Sequence, residues 1–349
     1  MRTGIIGLTQ SGKTSLFRML SQSHTAVGFG GHETHLGTAK VPDRRVDQLI
    51  ELFQPKKSAY ASVEYLDVPP ISRENLQEAS YMGSLRQVDA LAQVVRLFGD
   101  DVDAVRDIRH VEDELILSDL VQVEKRVDRL DRELRKIKNV ESEHEMEVLK
   151  RARQVLESGK PLREMTMDPT EKKRIRGFMF LSEKPILLVL NAPEDRAPTL
   201  AELEQEYRTK LGARPNMEVL AICASIEAEI ADLSPEDAAT FMESYGLKEP
   251  GLERLIRGTY HLLGLISFFT VGEDEVRAWT VPHNATMLEA AGAIHTDLAK
   301  HFIRAEVVAG TELLRLGSLA AARDVGLLKL EGKESLVKDG DVVHIRHSG

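Results

Sequence analysis

The sequence contains a single cysteine, Cys223, among 349 residues. One cysteine excludes an intramolecular disulfide, offers no basis for a disulfide-linked partner and is typical of the reducing cytosol. No run of about 18 apolar residues occurs, so we expect neither a transmembrane helix nor a membrane partner. The chain enters a candidate phosphate-binding loop within its first residues, which leaves no room for a signal peptide. We therefore expect a cytoplasmic protein.

Basic charge is also scarce, since 46 Lys and Arg face 56 Asp and Glu and leave a net charge of −10. Broad, non-specific binding to nucleic acid requires a basic surface and is disfavoured, although a local basic patch on one domain stays open. Hydrophobic content of 42% and charged content of 29% are ordinary for a soluble globular protein. The length predicts two or three domains, because one core rarely serves more than about 250–300 residues.

The first twenty residues contain a phosphate-loop pattern. Residues 4–6 form a short apolar run that predicts a buried strand, and residues 15–20 have helical apolar spacing. Between them, residues 7–14 read G-x-x-x-x-G-K-[ST]. Gly7 and Gly12 allow the backbone to direct its N–H groups at phosphate oxygens, and the following helix adds its N-terminal partial positive charge.

The side chains of this loop predict the binding of a nucleoside triphosphate. Lys13 is expected to reach the β- and γ-phosphates and is the candidate catalytic residue, while Thr14 is expected to place its hydroxyl on Mg²⁺. The alternative is a chance match in a glycine-containing turn. The predicted nucleotide contacts in the loop are Thr9, Gln10, Ser11, Gly12, Lys13, Thr14 and Ser15.

Asp67 is the second candidate metal residue. It ends a predicted strand over residues 62–68, where a carboxylate would hold Mg²⁺ through water; the alternative is an ordinary turn-starting Asp. Residues 21–35 are rich in glycine and histidine and predict the flexible loop in which many phosphate-loop proteins keep their first switch. The three histidines of that loop are more often solvated than metal-binding.

A highly charged stretch between residues 111 and 157 predicts a coiled-coil hairpin. Ser142 and Glu145 read as a capping box that opens a second helix, so two antiparallel helices should join near Asn139. A solvated structural hairpin and a docking arm both remain open. The heptad seam of the first helix consists of Leu120, Val123, Val127, Leu130, Leu134 and Ile137.

Strands alternate with helices on both sides of this insertion, which predicts an α/β fold with a doubly wound, mostly parallel sheet. From Leu265 onward, short strands and one helix predict a β-grasp-like module. The resulting domains are a P-loop nucleotide-binding domain over residues 1–108 and 177–264, a helical insertion over 109–176 and a C-terminal domain over 265–349.

These stretches together resemble the YchF subfamily of Obg-related P-loop NTPases, and the resemblance covers the whole chain. The resemblance implies binding of ATP or GTP with Mg²⁺ as cofactor. It also implies contact with the ribosome or ribosomal RNA through the coiled coil and the C-terminal domain, which is similar to the family's TGS domain. The stretches that carry it are Val41–Asp43, Ile226–Ile230, Phe268–Gly272, Glu275–Thr280, Ala291–Asp297, Phe302–Val307 and Asp339–Val342.

Several positions depart from the family pattern. Gln10 stands where the family's phosphate loop has Asn, and Asp67-Val68-Pro69-Pro70 stands where it has Asp-x-x-Gly. That Gly supplies a backbone N–H to the γ-phosphate, and Pro70 has none to give. The Thr of the family's first switch aligns near Gly31, with Thr34 as the alternative. We therefore expect slow hydrolysis at best.

The base-reading stretch is Asn191-x-x-Glu194 rather than Asn-Lys-x-Asp. Glu is one methylene longer than Asp and places its carboxylate elsewhere, while Ala192 provides no side chain to cover the base. The family reads this way and is associated with ATP preference over GTP. The resemblance implies that Asn191 and Glu194 contact the base, with Cys223 and Ala224 in the fifth-motif loop. The alternative is that Asn191 is only a strand-end turn residue.

Two functions from different classes follow. The first is a cytosolic NTPase of the YchF type that works with the ribosome as a regulator of translation or stress. The second is a nucleotide-bound interaction module that has lost hydrolysis, which Pro70 favours. A small-molecule kinase would need a lid of catalytic arginines, and the sequence shows no convincing one.

Overall fold

The computed structural model describes residues 1–21 and 34–348. Most of the predicted first-switch stretch, including His24, Gly31 and His32, lies outside the described residues. The strands are β1 (Arg2–Ile6), β2 (His35–Lys40), β3 (Lys57–Ala59), β4 (Ser62–Asp67), β5 (Ala90–Arg96), β6 (Ile186–Asn191), β7 (Met217–Ile222), β8 (Leu265–Thr270), β9 (Glu275–Pro282), β10 (Phe302–Ala309), β11 (Lys329–Glu331) and β12 (Asp341–His347).

The α-helices begin with α1, which directly follows the phosphate loop. They are α1 (Lys13–Ser21), α2 (Arg44–Phe53), α3 (Ala79–Arg86), α4 (Ala104–Leu134), α5 (Val140–Glu157), α6 (Pro169–Ile175), α7 (Leu200–Leu211), α8 (Ala224–Asp232), α9 (Pro235–Ser244), α10 (Gly251–Leu262), α11 (Met287–Ile294), α12 (Thr296–Lys300), α13 (Gly310–Leu316) and α14 (Leu319–Asp324).

The chain folds into two compact units, the first comprising Met1–Thr38 and Glu64–Leu262 and the second comprising Ala39–Val63 and Leu263–Gly349. The sequence-based boundaries near residues 108, 176 and 264 stay predictions. What the structure adds is that a stretch early in the chain, Ala39–Val63, packs with the C-terminal part rather than with its sequence neighbours.

The first unit contains the predicted parallel sheet. In the described part of the chain its strand order is β2-β4-β1-β5-β6-β7. The pairings β1–β4, β1–β5, β5–β6 and β6–β7 are all parallel. Every residue of β6 is buried, as its continuous apolar sequence predicts for a strand covered on both faces. The carboxyl ends of β1, β4, β5 and β6 therefore lie at one edge, where the phosphate loop begins.

Helix α4 is one continuous helix of 31 residues that changes partners along its length. Its first turns, with Ile108 and Leu115, pack in the core beside the sheet. From Ile116 onward it packs against α5 in a separate apolar cluster, as predicted for the hairpin. Among the described helices none, including this one, has the length and apolar character needed to cross a bilayer.

Two details of the predicted hairpin are wrong. The cap of α5 is Asn139, whose side-chain oxygen accepts hydrogen bonds from the N–H groups of Glu141 and Ser142 at 2.9 and 3.2 Å. Ser142 is thus already inside the helix, because Asn139 satisfies the first free N–H groups three residues earlier. Ile137 is not part of the seam, since α4 ends at Leu134 and leaves Ile137 75% exposed.

The second unit contains a mixed sheet with strand order β11-β10-β12-β8-β9-β3 in the described residues. Strand β3 comes from the early stretch and pairs in parallel with β9. In α2, Arg45 donates to Asp339 at 2.7 Å and to Asp43 at 2.7 Å, and its guanidinium lies 5.2 Å from the ring centre of Phe269. These contacts join Ala39–Val63 to the C-terminal strands.

Candidate nucleotide-binding site

The phosphate loop turns sharply at its two glycines. Gly7 has φ 150° and Gly12 has φ 97°. A Cβ atom on Gly7 would lie 2.5 Å from the carbonyl oxygen of Val94, and one on Gly12 would lie 2.4 Å from the side-chain nitrogen of Asn191. No side chain fits at either position, so the loop is held tightly between β5 and the end of β6.

Gln10 also has a positive φ, 60°, which is costly for a residue with a side chain. Its backbone is therefore strained at the tip of the loop, and its side chain is exposed. Strain of this kind persists where the surrounding structure fixes the conformation, and it is common at ligand-binding sites.

Lys13 and Asp67 are buried charged residues at this edge of the sheet, only 7% and 6% exposed. Burial lowers the pKa of Lys13, and the nearby Asp67 carboxylate opposes that change. Burial raises the pKa of Asp67, against the opposing effects of Lys13 and of a hydrogen bond with Thr14. Burial thus disfavours the charged form of each side chain, and buried titratable groups perturbed in this way are common at functional sites.

The Asp67 carboxylate has an oxygen, Oδ1, with no hydrogen-bond partner among the described residues. An unpaired buried carboxylate oxygen beside the Thr14 hydroxyl is suited to a hard divalent cation with oxygen ligands. Among the described residues, no group of three or more His, Cys, Asp or Glu side chains is placed to hold a metal ion.

The segment after Asp67 is fastened by three hydrogen bonds. The N–H of Ile71 donates to the Gly7 carbonyl at 3.1 Å. The carbonyl of Pro69 accepts from Tyr81 at 3.2 Å, and that of Pro70 accepts from Asn75 at 2.7 Å. Pro70 itself has no N–H. Its only backbone hydrogen-bonding group is the carbonyl oxygen, which already accepts from Asn75.

Asn191 lies where the phosphate loop, the end of β6 and the start of α8 meet. Its amide nitrogen donates to the Ser11 carbonyl at 3.1 Å, and its amide oxygen accepts from the Ala224 N–H at 3.1 Å. Both ends of the side chain are therefore bonded within the protein, and the residue is 3% exposed. The structure gives Asn191 the role of a brace between loops; its predicted contact with the base stays a prediction.

The other residues predicted to lie at the base are Glu194, Cys223 and Ala224, and they are less directly connected to the phosphate loop than Asn191 is. Glu194 is exposed at the first position of a 3-10 helix, Glu194–Thr199. Cys223 is 1% exposed, with its sulfur 3.2 Å from the Ser225 hydroxyl. Only its neighbour Ala224 is joined to the loop through Asn191. The roles of Glu194 and Cys223 thus stay predictions.

Sequence reasoning did not find the residues of β5 that adjoin the loop. Val94 contacts Gly7 through its backbone carbonyl, which no side-chain pattern reveals. Gln93 is 1% exposed at the centre of a strand that is otherwise apolar up to its last residue, Arg96. A polar residue at the centre of a buried strand was the available signal, because buried polar groups need a partner.

Comparisons with known proteins agree with this arrangement. Residues 265–348 match the family model YchF-GTPase_C, described as a protein of unknown function (DUF933). The chain is 39% identical to the "Ribosome-binding ATPase YchF" of Bacillus subtilis (strain 168), with 99% of both chains covered. It is 34% identical to the protein of that name from Escherichia coli O157:H7, with 98% of both covered. The solved "Schizosaccharomyces pombe YchF GTPase" superposes with a TM-score of 0.85 at 26% identity, covering 99% of this chain and 97% of that one.

Proposed function

The chain belongs to the YchF family, and we propose that it is a cytoplasmic protein that binds ATP with Mg²⁺, hydrolyses it slowly and associates with the ribosome. The names of the bacterial relatives, ribosome-binding ATPases, support this proposal, while the fission-yeast relative is named a GTPase. GTP is therefore the alternative nucleotide. The superposition over the whole chain supports a shared P-loop NTPase fold.

The observation that carries the proposal is the pairing of buried Lys13 with buried Asp67 beside a glycine-constrained loop. In the proposed complex the amides of residues 9–15 bind phosphate oxygens, and the Lys13 ammonium neutralises the β- and γ-phosphates. Thr14 and Asp67 would hold Mg²⁺, which supplies further charge neutralisation when bound. A phosphate ligand would stabilise the charged form of Lys13, against the effect of burial.

Preference for ATP rests on the base-reading stretch. Ala192 is 3% exposed and offers no chain to cover a base, and Glu194 replaces the Asp that accepts two hydrogen bonds from guanine in a GTPase. Guanine bound at such a site would leave N–H donors buried without that acceptor, which costs about 1–3 kcal/mol. These features favour adenine.

The second candidate, an interaction module without turnover, is favoured by the segment around Pro70. Pro69 and Pro70 have no N–H to donate to the γ-phosphate, and hydrogen bonds to their carbonyls hold this segment in place. Under this alternative, the nucleotide would stabilise a conformation for a partner without being cleaved.

Ribosome association would involve the coiled-coil hairpin and the second unit, which we propose to be a TGS-type domain. The turn of the hairpin combines the basic residues Arg135, Lys136 and Lys138 with the exposed Ile137. A local group of three cations on an otherwise acidic chain provides the electrostatic attraction that RNA binding needs.

One experiment tests nucleotide binding and turnover together. Calorimetric titrations of ATP and GTP, followed by steady-state hydrolysis assays, are run on the wild type, on Lys13→Ala and on the control Lys125→Ala, an exposed lysine of α4. We expect ATP to bind more tightly than GTP, and only Lys13→Ala to lose binding and turnover. Tighter GTP binding would overturn the adenine assignment, and binding without turnover above the Lys13→Ala background would establish the interaction module. Cosedimentation of the same proteins with ribosomes tests the association.

A further inference from the structure

A polar cavity of about 220 Å³ lies beside the phosphate loop, entirely within the first unit. It is formed by the loop, the carboxyl-terminal half of β5 and the first turn of α4. A space of this size exceeds that of one water molecule several times. Its lining residues are Leu8, Thr9, Ser11, Gln93, Val94, Val95, Arg96, Arg106 and Asp107.

Two deeply buried polar atoms of the lining lack partners. Gln93 is 1% exposed and Ser11 is 2% exposed. Gln93 Oε1 and Ser11 Oγ have no hydrogen-bond partner among the described residues. Such atoms are costly to leave unpaired, so a native cavity of this kind normally contains a polar occupant. The Ser11 hydroxyl is able to donate to an anion, whereas Gln93 Oε1 only accepts and would pair with a water molecule that accompanies the anion. The loop-facing position of Ser11 links that occupant to the nucleotide site.

The charge of the cavity favours an anion. Arg96 is half-buried, and its side chain makes neither a hydrogen bond nor an ion pair with the described part of the protein. Arg106 contacts Asp107 only at 3.5 Å, and its side chain is 55% exposed. Two guanidinium groups thus face one carboxylate. A half-buried guanidinium without a counter-ion keeps its N–H donors available to an anion.

The strand order gives Arg96 a definite position. Strand β1, which leads into the loop, lies between β4 and β5. Asp67 ends β4 on one side of the loop, and Arg96 ends β5 on the other. Arg96 is also paired in register with Asn191, the brace of the loop. A guanidinium here is able to donate two parallel hydrogen bonds to a phosphate, on the side opposite the candidate metal acid.

We propose that this cavity binds a phosphate group, with Arg96 as its main contact and Arg106 as a secondary one. The proposal rests on the proposed nucleotide binding and deepens it, because a cation here supplies donors that the Pro70 segment lacks. The phosphate is either the terminal phosphate of the bound nucleotide or inorganic phosphate. A larger cavity of about 310 Å³ at the start of β7 has no such role, since its Arg208 and Arg214 are bonded to Val219 and Glu112.

The test compares three ligands by calorimetry: ADP, the imido analogue of ATP that is not hydrolysed, and inorganic phosphate alone or with saturating ADP. The proteins are the wild type, Arg96→Ala, Arg106→Ala and the control Arg109→Ala, an exposed arginine of α4 that does not line the cavity. Because Arg106 is exposed, its variant keeps the test valid if Arg96→Ala misfolds, which circular dichroism would reveal.

If the terminal phosphate is the ligand, Arg96→Ala weakens the ATP analogue about tenfold or more and Arg106→Ala weakens it about threefold, while ADP changes less than about twofold. If inorganic phosphate is the ligand, it binds the wild type and is lost in Arg96→Ala, with both nucleotides unaffected. Unchanged binding of all ligands by both variants, or equal loss of ADP and the analogue, would overturn the proposal. Failure of the wild type to bind either nucleotide would instead reject the proposed function, and phosphate binding would still decide the role of the cavity.

Discussion

Two buried aspartates of the first unit, Asp67 and Asp119, invite comparison because they share burial and differ in their partners. Asp119, in α4, is completely buried, and both of its oxygens accept backbone hydrogen bonds, from Leu181 at 3.0 Å and Ser182 at 2.7 Å. Arg86 adds a charge at 3.8 Å. Asp67 is almost as deeply buried, yet one of its oxygens has no partner in the described residues.

The difference separates a structural joint from a candidate binding site. Burial raises the pKa of Asp119, and the two backbone N–H groups and Arg86 oppose that rise with contacts that are already complete. Burial also raises the pKa of Asp67, where one oxygen remains available. A buried carboxylate with all its bonds made holds the base of the hairpin to the sheet domain. A buried carboxylate with an unpaired oxygen is available to bind a ligand from outside the protein.

The largest effect on stability is expected from removing the Asp119 carboxylate. Asp119→Ala leaves two buried backbone N–H groups without an acceptor and Arg86 without its counter-charge, so the free energy of unfolding should fall by about 3–5 kcal/mol. Urea unfolding followed by circular dichroism measures this change, with the exposed Asp113→Ala of the same helix as control. A loss no greater than that of Asp113→Ala would contradict the structural role of Asp119.

A smaller and opposite effect is expected at the open site. Asp67→Asn removes a poorly solvated charge and should raise the free energy of unfolding of the metal-free protein by about 0.5–2 kcal/mol. The same change should abolish the gain in nucleotide affinity that Mg²⁺ gives over EDTA. Thermal unfolding and calorimetry measure the two effects, with Asp113→Asn as control. Destabilisation of the size expected for Asp119→Ala would show that the two aspartates are equivalent.

The smallest effect is a pH dependence. Because the pKa of Asp67 is raised in the folded protein, the folded state holds this proton more tightly than the unfolded state does. Its contribution to stability is therefore complete below the unfolded pKa of about 4 and is lost as pH rises through the folded pKa. The stability of the wild type minus that of Asp67→Asn should decline across this acidic range. A difference that rises with pH would show that Asp67 is already paired.

Short-range sequence patterns predicted several helices and strands of this fold. The strands predicted over residues 4–6 and 62–68 and the helix predicted after the phosphate loop are confirmed as β1, β4 and α1, because apolar spacing within a short stretch determines them. The cap of α5 is predicted at Ser142, where the sequence has a capping-box pattern. The structure instead has the cap at Asn139, which is also a residue that favours this position.

Features that depend on distant contacts were not predicted. The pairing of Lys57–Ala59 with β9 and the contact of Arg45 with Asp339 join residues more than two hundred positions apart. The cavity around Arg96 is likewise formed by three separate elements. The sequence of one stretch does not show which distant residues will pack against it. These features are therefore known only from the folded structure.

The inclusion of Ala39–Val63 in the second unit has a practical meaning for dissecting the protein. The backbone passes between the units three times, after Thr38, after Val63 and after Leu262. A fragment that starts at residue 263 would lack the edge strand β3 and the Asp43–Arg45–Asp339 ion pairs. Isolating this unit as a folded protein therefore calls for a circularly permuted or linked design in which both pieces of the chain are retained.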